Sequence, residues 1–297
     1  MKVSIVGPLG IGKVHARIFK KMGCNISSVL STSEESGKIA ASLFEKDLKI
    51  KTKYYLNLEE LIEMDSPNAI SICCPEKFHL EYIDIAMKKG IPILCEKPLF
   101  WDKSFSKKDL FLHLDRIEKH PKRKIFMNTS SSYFLNPVKP SIKNKVENFS
   151  FNFVTHGENR YENIPIDLLP HALSILYSLL GKKTLYNINQ ETLKNCYSLE
   201  AFYGSIKINF FFRQDAKRMK QFNFKINSNE FERIQKNSDG KYNVYLKDME
   251  MDLMTLIEDP FETVIKNFLG FCKNTKQKKD GFQEAKSIMK LMGEILL

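Results

Sequence analysis

The sequence predicts an α/β domain built on a parallel sheet, followed by an α+β domain with a mostly antiparallel sheet. Three observations carry this expectation. Short apolar β-prone runs alternate with helix-length amphipathic stretches up to about residue 127. The first run ends in a glycine-rich turn that opens a helix. Beyond residue 128 the alternation gives way to successive β-runs joined by short turns. The expected domains are 1–127 and 128–297.

Residues 2–6, Lys-Val-Ser-Ile-Val, form the first strand. It ends at Gly7-Pro8-Leu9-Gly10-Ile11-Gly12, after which Val14, Ile18, Phe19 and Met22 recur on one helical face until Gly23. Strand, glycine turn and helix make the opening unit of a dinucleotide-binding fold. The helix N-terminus offers unpaired N–H groups and a partial positive charge to a pyrophosphate. Gly7, Leu9, Gly10, Ile11 and Gly12 are therefore candidate cofactor contacts. A second strand at 26–30 ends in Ser31-Thr32-Ser33. An acid there would bind the adenosine ribose and favour NAD. Hydroxyls at Ser31 and Thr32 lean the expectation to NADP, although no arginine is close by. The alternative is that Ser31 only caps the helix at 34–44.

A short strand (54–56), a short helix (58–64) and a buried strand (68–73) follow. The last ends at Cys74-Pro75-Glu76-Lys77-Phe78-His79, before a helix at 80–89 stopped by Gly90. A strand at 91–95 then runs into Glu96-Lys97-Pro98, and a helix (107–119) and a strand (124–127) close the first domain. This alternation implies right-handed crossovers in one sheet. Packing alone does not place a glutamate and a lysine at the lip of a buried strand. That lip is where open parallel sheets bind ligands, and Pro98 fixes the chain there.

In the second half, 149–155 alternates like a strand and 166–180 reads as a helix closed by Gly181. Pro170 is tolerable in that helix only if it lies in the first turn. Strands are expected at 184–188, 197–203, 205–213, 220–226, 230–237 and 241–247, and helices at 261–272 and 281–297.

The formal charge of +11 is spread along the chain rather than gathered on one element. No nucleic-acid partner is expected; the field favours anionic ligands such as phosphates or sugar nucleotides. No apolar run approaches the roughly 20 residues of a membrane helix, and the N-terminus runs straight into a strand, so a cytoplasmic protein without a membrane partner is expected. The six cysteines lack metal-ligand spacing and read as reduced packing residues, with no metal site.

Asp167 and His171 are four residues apart and share a helix face, which could meet Lys97 across a cleft between the domains. A lysine, a histidine and a carboxylate suit hydride transfer. A carbinol losing hydride must also lose a proton, which a histidine can take. Lys97 can stabilise the alkoxide or pass the proton on, and Asp167 can bind a hydroxyl or orient the base. Tyr133 and Asn163 are further candidate substrate contacts. His79 either lines the cofactor cleft or caps the helix that follows.

Four features, the glycine turn followed by His15, Cys74-Pro75-x-x-x-His79, Glu96-Lys97-Pro98 and Asp167-x-x-x-His171, occur in the order and spacing of one family. Through them the chain resembles the Gfo/Idh/MocA oxidoreductases, the glucose–fructose oxidoreductase and inositol dehydrogenase group. The resemblance implies a Rossmann domain plus an open-faced mixed sheet that binds substrate and forms a homodimer or homotetramer interface. It also implies that Cys74, Pro75, His79, Glu96 and Lys97 face the cofactor, and that Lys97 and His171 act near the nicotinamide. Two departures stand out. Leu9 replaces the middle glycine of Gly-x-Gly-x-x-Gly, with Gly10 restoring the turn in the shifted form Gly7-x-x-Gly10-x-Gly12. Asn163-Ile164-Pro165-Ile166 replaces a glycine-rich approach to Asp167. The function implied is NAD(P)-dependent oxidation of a ring hydroxyl, or reduction of the ketone, in a sugar, sugar nucleotide or cyclic polyol. The alternatives are a non-catalytic NAD(P)-binding regulator of the same fold and an imine or double-bond reductase.

Overall fold

The computed structural model describes residues 1–142, 144–238, 241–273 and 280–297. The chain packs as two units: residues 1–128 with 261–286, and residues 129–260 with 287–297.

The first unit is wound from β1 (Lys2–Val6), α1 (Ile11–Lys21), β2 (Asn25–Leu30), α2 (Glu34–Leu48), β3 (Lys53–Tyr55), α3 (Leu58–Asp65), β4 (Ala69–Ile72), α4 (His79–Lys89), β5 (Ile93–Cys95), α5 (Lys107–Lys119) and β6 (Ile125–Met127). The strands are all parallel, in the order β3-β2-β1-β4-β5-β6. Their apolar residues are buried on both faces, as a sheet covered by helices on two sides requires. The strand order reverses at β1, whose neighbours are β2 and β4. Ligand crevices form at the carboxyl ends of the strands at such a reversal.

The second unit carries β7 (Asn148–Thr155), α6 (Asn163–Leu180), β8 (Leu185–Thr192), β9 (Cys196–Tyr203), β10 (Ile206–Gln214), β11 (Gln221–Ile226), β12 (Asn229–Ser238), β13 (Lys241–Asp248) and β14 (Leu253–Ile257). They form one sheet ordered β14-β13-β12-β11-β7-β10-β9-β8. Only β7 and β10 run parallel; the other pairs are antiparallel. Side chains alternate across it. Phe149, Phe151, Phe210, Phe212, Phe222 and Phe224 are buried on the inner face, which α6 covers. Ser150, Asn152, Asn209, Phe211, Asn223 and Lys225 line an open depression of about 450 Å³ on the other face. The sheet is thus mixed and open-faced.

α7 (Pro260–Lys273) and α8 (Phe282–Leu296) end the chain. The sequence reading divided the chain once, at 127/128, whereas residues 261–286 return to the first unit. Aromatic packing explains the return. The Phe268 ring meets Phe19 at 6.3 Å and Phe126 at 5.7 Å, and Phe271 meets Phe126 at 5.0 Å. Asp280 accepts from Arg123 Nε at 2.9 Å and from the Ile125 N–H at 3.1 Å.

Two expectations about α6 are corrected. The helix begins at Asn163, so Pro165, not Pro170, lies in its first turn, and Pro170 is interior. The bond that Pro170 cannot donate is outweighed by the burial of Ile164–Ile166, Leu168, Leu169 and Ala172–Leu176. Asp167 accordingly sits inside the helix rather than opening it. Among the described residues, α6 is long and apolar enough to cross a membrane, with a mean hydropathy of 1.2, and most of it is buried within the protein. A strand absent from the sequence reading, β14, pairs with β13 at the sheet edge.

Adjacent residues on β10 test the alternation. Phe212 is 0% exposed and stacks on Tyr197, whereas Phe211 is 36% exposed. We expect Phe212→Ala to cost about 3–5 kcal/mol and Phe211→Ala less than about 1 kcal/mol. Denaturant midpoints measure both, and equal costs would refute the assigned faces.

Candidate functional site

In the first unit the turn after β1 is built on three glycines with different tasks. Gly7 has φ 76°, and a Cβ there would stand 2.7 Å from Cys74 N, so the β1 turn lies directly against the turn after β4. Gly10 caps α1 with φ 57°. A Cβ on Gly12 would stand 2.0 Å from Gly7 O, so only glycine lets α1 start this close to β1. Neither a capping side chain nor an acid occupies the start of α1, which keeps its N-terminus suited to an anion. Leu9 is 43% exposed at the rim.

Beside this turn lies a cavity of about 270 Å³ lined by Gly7, Leu9, Ser31, Thr32, Cys74 and Pro75 among the expected residues. Ser36, Phe78 and Tyr82 also line it. Phe78 and Tyr82, an i, i+4 pair at the start of α4, are contacts that the sequence reading missed; the signal was an aromatic one helical turn from another. Gly10, Ile11, Gly12, His79, Glu96 and Lys97 are not on its wall. Ser31 Oγ is buried without a hydrogen-bond partner. It is not the cap of α2: Ser33 is, accepting from the Ser36 N–H at 3.2 Å, with the extended backbone an N-cap needs. An orphaned hydroxyl in a mostly apolar pocket fits the ribose of an adenosine, and the adjoining glycine turn fits the pyrophosphate.

His79 is fully buried behind this wall. Its Nε2 lies 2.7 Å from Cys74 O and its Nδ1 3.0 Å from Pro98 O, linking the turns after β4 and β5. Burial pushes its pKa down, partly offset by these carbonyls.

At the lip of β5, Glu96 is buried and Lys97 half-buried; the Lys97–Pro98 peptide is cis. Glu96 Oε1 accepts from Asn128 Nδ2 at 2.6 Å and lies 2.9 Å from His15 Nε2. Glu96 Oε2 lies 3.3 Å from the Lys97 N–H. His15 Nδ1 is 2.9 Å from Ser71 Oγ. Burial works against the Glu96 charge, but His15, Asn128 and Lys97 outweigh it and bring the carboxyl down to about 2. Burial likewise works against His15, but Cys73 and Glu96 outweigh it and raise the imidazole to about 10. His15, named from the sequence only as the residue that follows the glycine turn, is half of a buried ion pair.

In the second unit, Asn163, Asp167 and His171 recur at i, i+4 and i+8 of α6. They form a half-exposed polar stripe between buried neighbours. Asp167 Oδ2 accepts from Gln214 Nε2 at 2.6 Å and Asn159 Nδ2 at 3.1 Å. His171 Nδ1 lies 2.8 Å from the buried Ser131 Oγ, and its ring meets the Phe153 ring edge-on at 5.1 Å. Tyr133 lies in the 3₁₀ turn Ser130–Leu135, which packs on α6. Ser131, Asn159 and Gln214 are absent from the sequence reading. All six cysteines are free thiols, and among the described residues no three His, Cys, Asp or Glu side chains gather as a metal site.

Residues 1–127 match the family model described as oxidoreductase family, NAD-binding Rossmann fold. The inositol 2-dehydrogenase of Corynebacterium glutamicum strain R is 30% identical over 108 residues, covering 36% of this chain and 31% of that protein. The chain spans under a third of the length of the curated relatives it matches. Among solved structures, the UDP-N-acetylglucosamine 3-dehydrogenase GnnA from Acidithiobacillus ferrooxidans superimposes with a TM-score of 0.74 at 13% identity, covering 99% of this chain and 96% of that one. The WlbA dehydrogenase from Thermus thermophilus, in complex with NAD and UDP-GlcNAcA, gives a TM-score of 0.70 at 13% identity, covering 100% of this chain and 95% of that one. These structures establish the likeness of fold.

The buried pair sets a pH dependence. The folded His15 pKa of about 10 exceeds its ordinary 6.5, so its contribution is complete below 6.5 and lost as pH rises through about 10. The folded Glu96 pKa of about 2 lies below its ordinary 4.5, so its contribution is complete above 4.5 and lost as pH falls through about 2. The stability gap between wild type and Glu96→Gln is therefore widest between pH 4.5 and 6.5. There we expect a loss of about 3–5 kcal/mol, since one charge is left buried and unpaired. Denaturant unfolding across pH checks this, and a gap that does not vary with pH would sink the ion pair.

Proposed function

We infer that this chain, a member of the Gfo/Idh/MocA oxidoreductase family through its residues 1–127, transfers hydride between NAD and a ring carbinol or ketone of a sugar, sugar nucleotide or cyclic polyol. The observation that carries the reading is Lys97, beside the buried Glu96 at the lip of a sheet whose neighbouring strand ends hold a cavity of about 270 Å³ against the glycine turn. The names of the similar proteins, an inositol dehydrogenase and sugar-nucleotide dehydrogenases, support the substrate class.

Gly7, Gly10 and Gly12 would hold the pyrophosphate against the start of α1, with Ser31 and Thr32 at the adenosine ribose. Bound NAD supplies the hydride acceptor. The protein's own residues handle the proton. With Nδ1–H donated to Ser131 Oγ, His171 presents Nε2 as the base. Lys97 brings positive charge to the developing alkoxide. Asp167, its carboxylate direction set by Asn159 and Gln214, binds a neighbouring hydroxyl. Asn163 and Tyr133 would contact the rest of the ring, and the open sheet face would join copies of the chain.

We place NAD before NADP. Neither lysine nor arginine is among the residues lining the cavity, and Glu34 and Glu35 open the helix beside it. A 2′-phosphate there would meet acid rather than a cation. Calorimetric titration should show NAD⁺ binding at least about tenfold tighter than NADP⁺, about 1.4 kcal/mol. Ser31→Arg should narrow or reverse the difference, and tighter NADP⁺ binding by the wild type overturns the assignment.

Lys97→Ala tests the chemistry. With inositol or UDP-N-acetylglucosamine and NAD⁺, followed at the nicotinamide absorbance band, kcat should fall at least about a hundredfold, with NAD⁺ affinity nearly unchanged. Turnover at the wild-type rate ends the catalytic reading. NAD⁺ binding without turnover on any sugar or polyol would favour the regulator instead.

A further inference from the structure

Gln214 stands where packing would place an apolar side chain. The inward positions of β10 are Ile206, Ile208, Phe210 and Phe212, and the next in that series is Gln214, itself 0% exposed. An amide is buried without loss only if its polar atoms are satisfied. Both are. Nε2 donates to Asp167 Oδ2 at 2.6 Å, and Oε1 accepts the Asn159 N–H at 2.8 Å. The partners fix the amide's orientation, because a flipped amide would set its oxygen against the carboxylate.

Gly157 makes room for this arrangement. A Cβ there would stand 2.1 Å from Gln214 Oε1 and 2.6 Å from its Cδ. The 157–160 loop is held to the end of β10 by a further bond, Arg160 Nη1 donating to Gln214 O at 3.5 Å, and is braced internally by Arg160 Nη1 donating to Asn159 O at 2.7 Å. Asp167 is half-exposed and would be hydrated unaided. A buried donor aimed at it adds direction rather than solvation, since the terminal torsion of aspartate is otherwise broad.

We propose that Gln214 is a positioning residue for the dehydrogenase reaction, holding the Asp167 carboxylate in the orientation that receives the substrate hydroxyl, with Gly157 as the space that permits it. The proposal rests on the role given to Asp167 above.

A kinetic double-mutant cycle tests it. Gln214→Leu, close in volume but without the amide, should lower kcat about tenfold to a hundredfold, with a smaller change in KM. Gly157→Ala, which displaces the amide tip while keeping it, should give a smaller loss of the same kind. In an Asp167→Asn background, Gln214→Leu should cause little further loss. Equal losses in both backgrounds, or an unchanged kcat in Gly157→Ala with Gln214→Leu also unaffected, overturn the proposal. Failure of the oxidoreductase reading shows elsewhere, as Lys97→Ala turning over at the wild-type rate. The same cycle in thermal unfolding midpoints reads the Gln214–Asp167 bond without any turnover, and additive shifts there overturn the clamp itself.

Discussion

A single buried carboxylate ties together the carboxyl ends of the strands in the first unit. Glu96 draws together α1 through His15, the chain beyond β6 through Asn128 and its own neighbour Lys97. A charge this deep is tolerated only when it is paired and hydrogen-bonded. The requirement is stricter than apolar packing, which accepts many rotations of a helix on a sheet. The helix that offers its N-terminus at the glycine turn is thereby locked to the strand that ends in Lys97. Asp280 does similar work at the strand's other side of the unit, binding the Arg123 side chain and the Ile125 N–H.

The second unit uses a lighter device. Its core is a field of phenylalanines whose rings meet at 5–6 Å, largely edge to face. Such a core is firm but carries no directional polar information. Direction comes from buried polar side chains at its margin: Gln214, which breaks the alternation at the end of β10, and Ser131 of the 3₁₀ turn, bonded to His171. Arg233 adds a cation over the same aromatic field, its guanidinium carbon 4.4 Å from the Phe222 ring centre. Polar groups embedded in an apolar face cost stability unless satisfied, so their presence marks the places where geometry matters more than packing.

Much of this was legible in the sequence because the signals were local. The alternation of 1–127, the turn Gly7-x-x-Gly10-x-Gly12 and the spacing of Asp167 and His171 each lie within a few residues and obey a fixed period. The pairing of His15 with Glu96 was not legible, since the two residues come from motifs far apart in the chain and no local spacing links them. β14 escaped for a different reason. Leu253, Met254 and Leu256 are exposed, so the strand shows neither a buried run nor an alternation. The start of α6 was placed late because Pro165 and Pro170 both read as boundaries, and burial of the helix overrode the second. Gln214 was missed because the strand was expected to end at 213, and its meaning depends on Asp167 and Gly157, which only the fold brings to it.

The return of residues 261–286 to the first unit bears on how the chain is made. A ribosome delivers β1 to β6 and then the whole of the second sheet before it delivers Phe268, Phe271 and Phe282. Until then Phe19 and Phe126 lack the rings that cover them, and Arg123 lacks Asp280. The first unit, first in the sequence, therefore closes its core only after the strands of the mixed sheet have been delivered. The second unit waits in turn for residues 287–297, where the Ile295 carbonyl accepts from Gln190 Nε2 at 2.9 Å, so each unit is completed by the chain's last two helices.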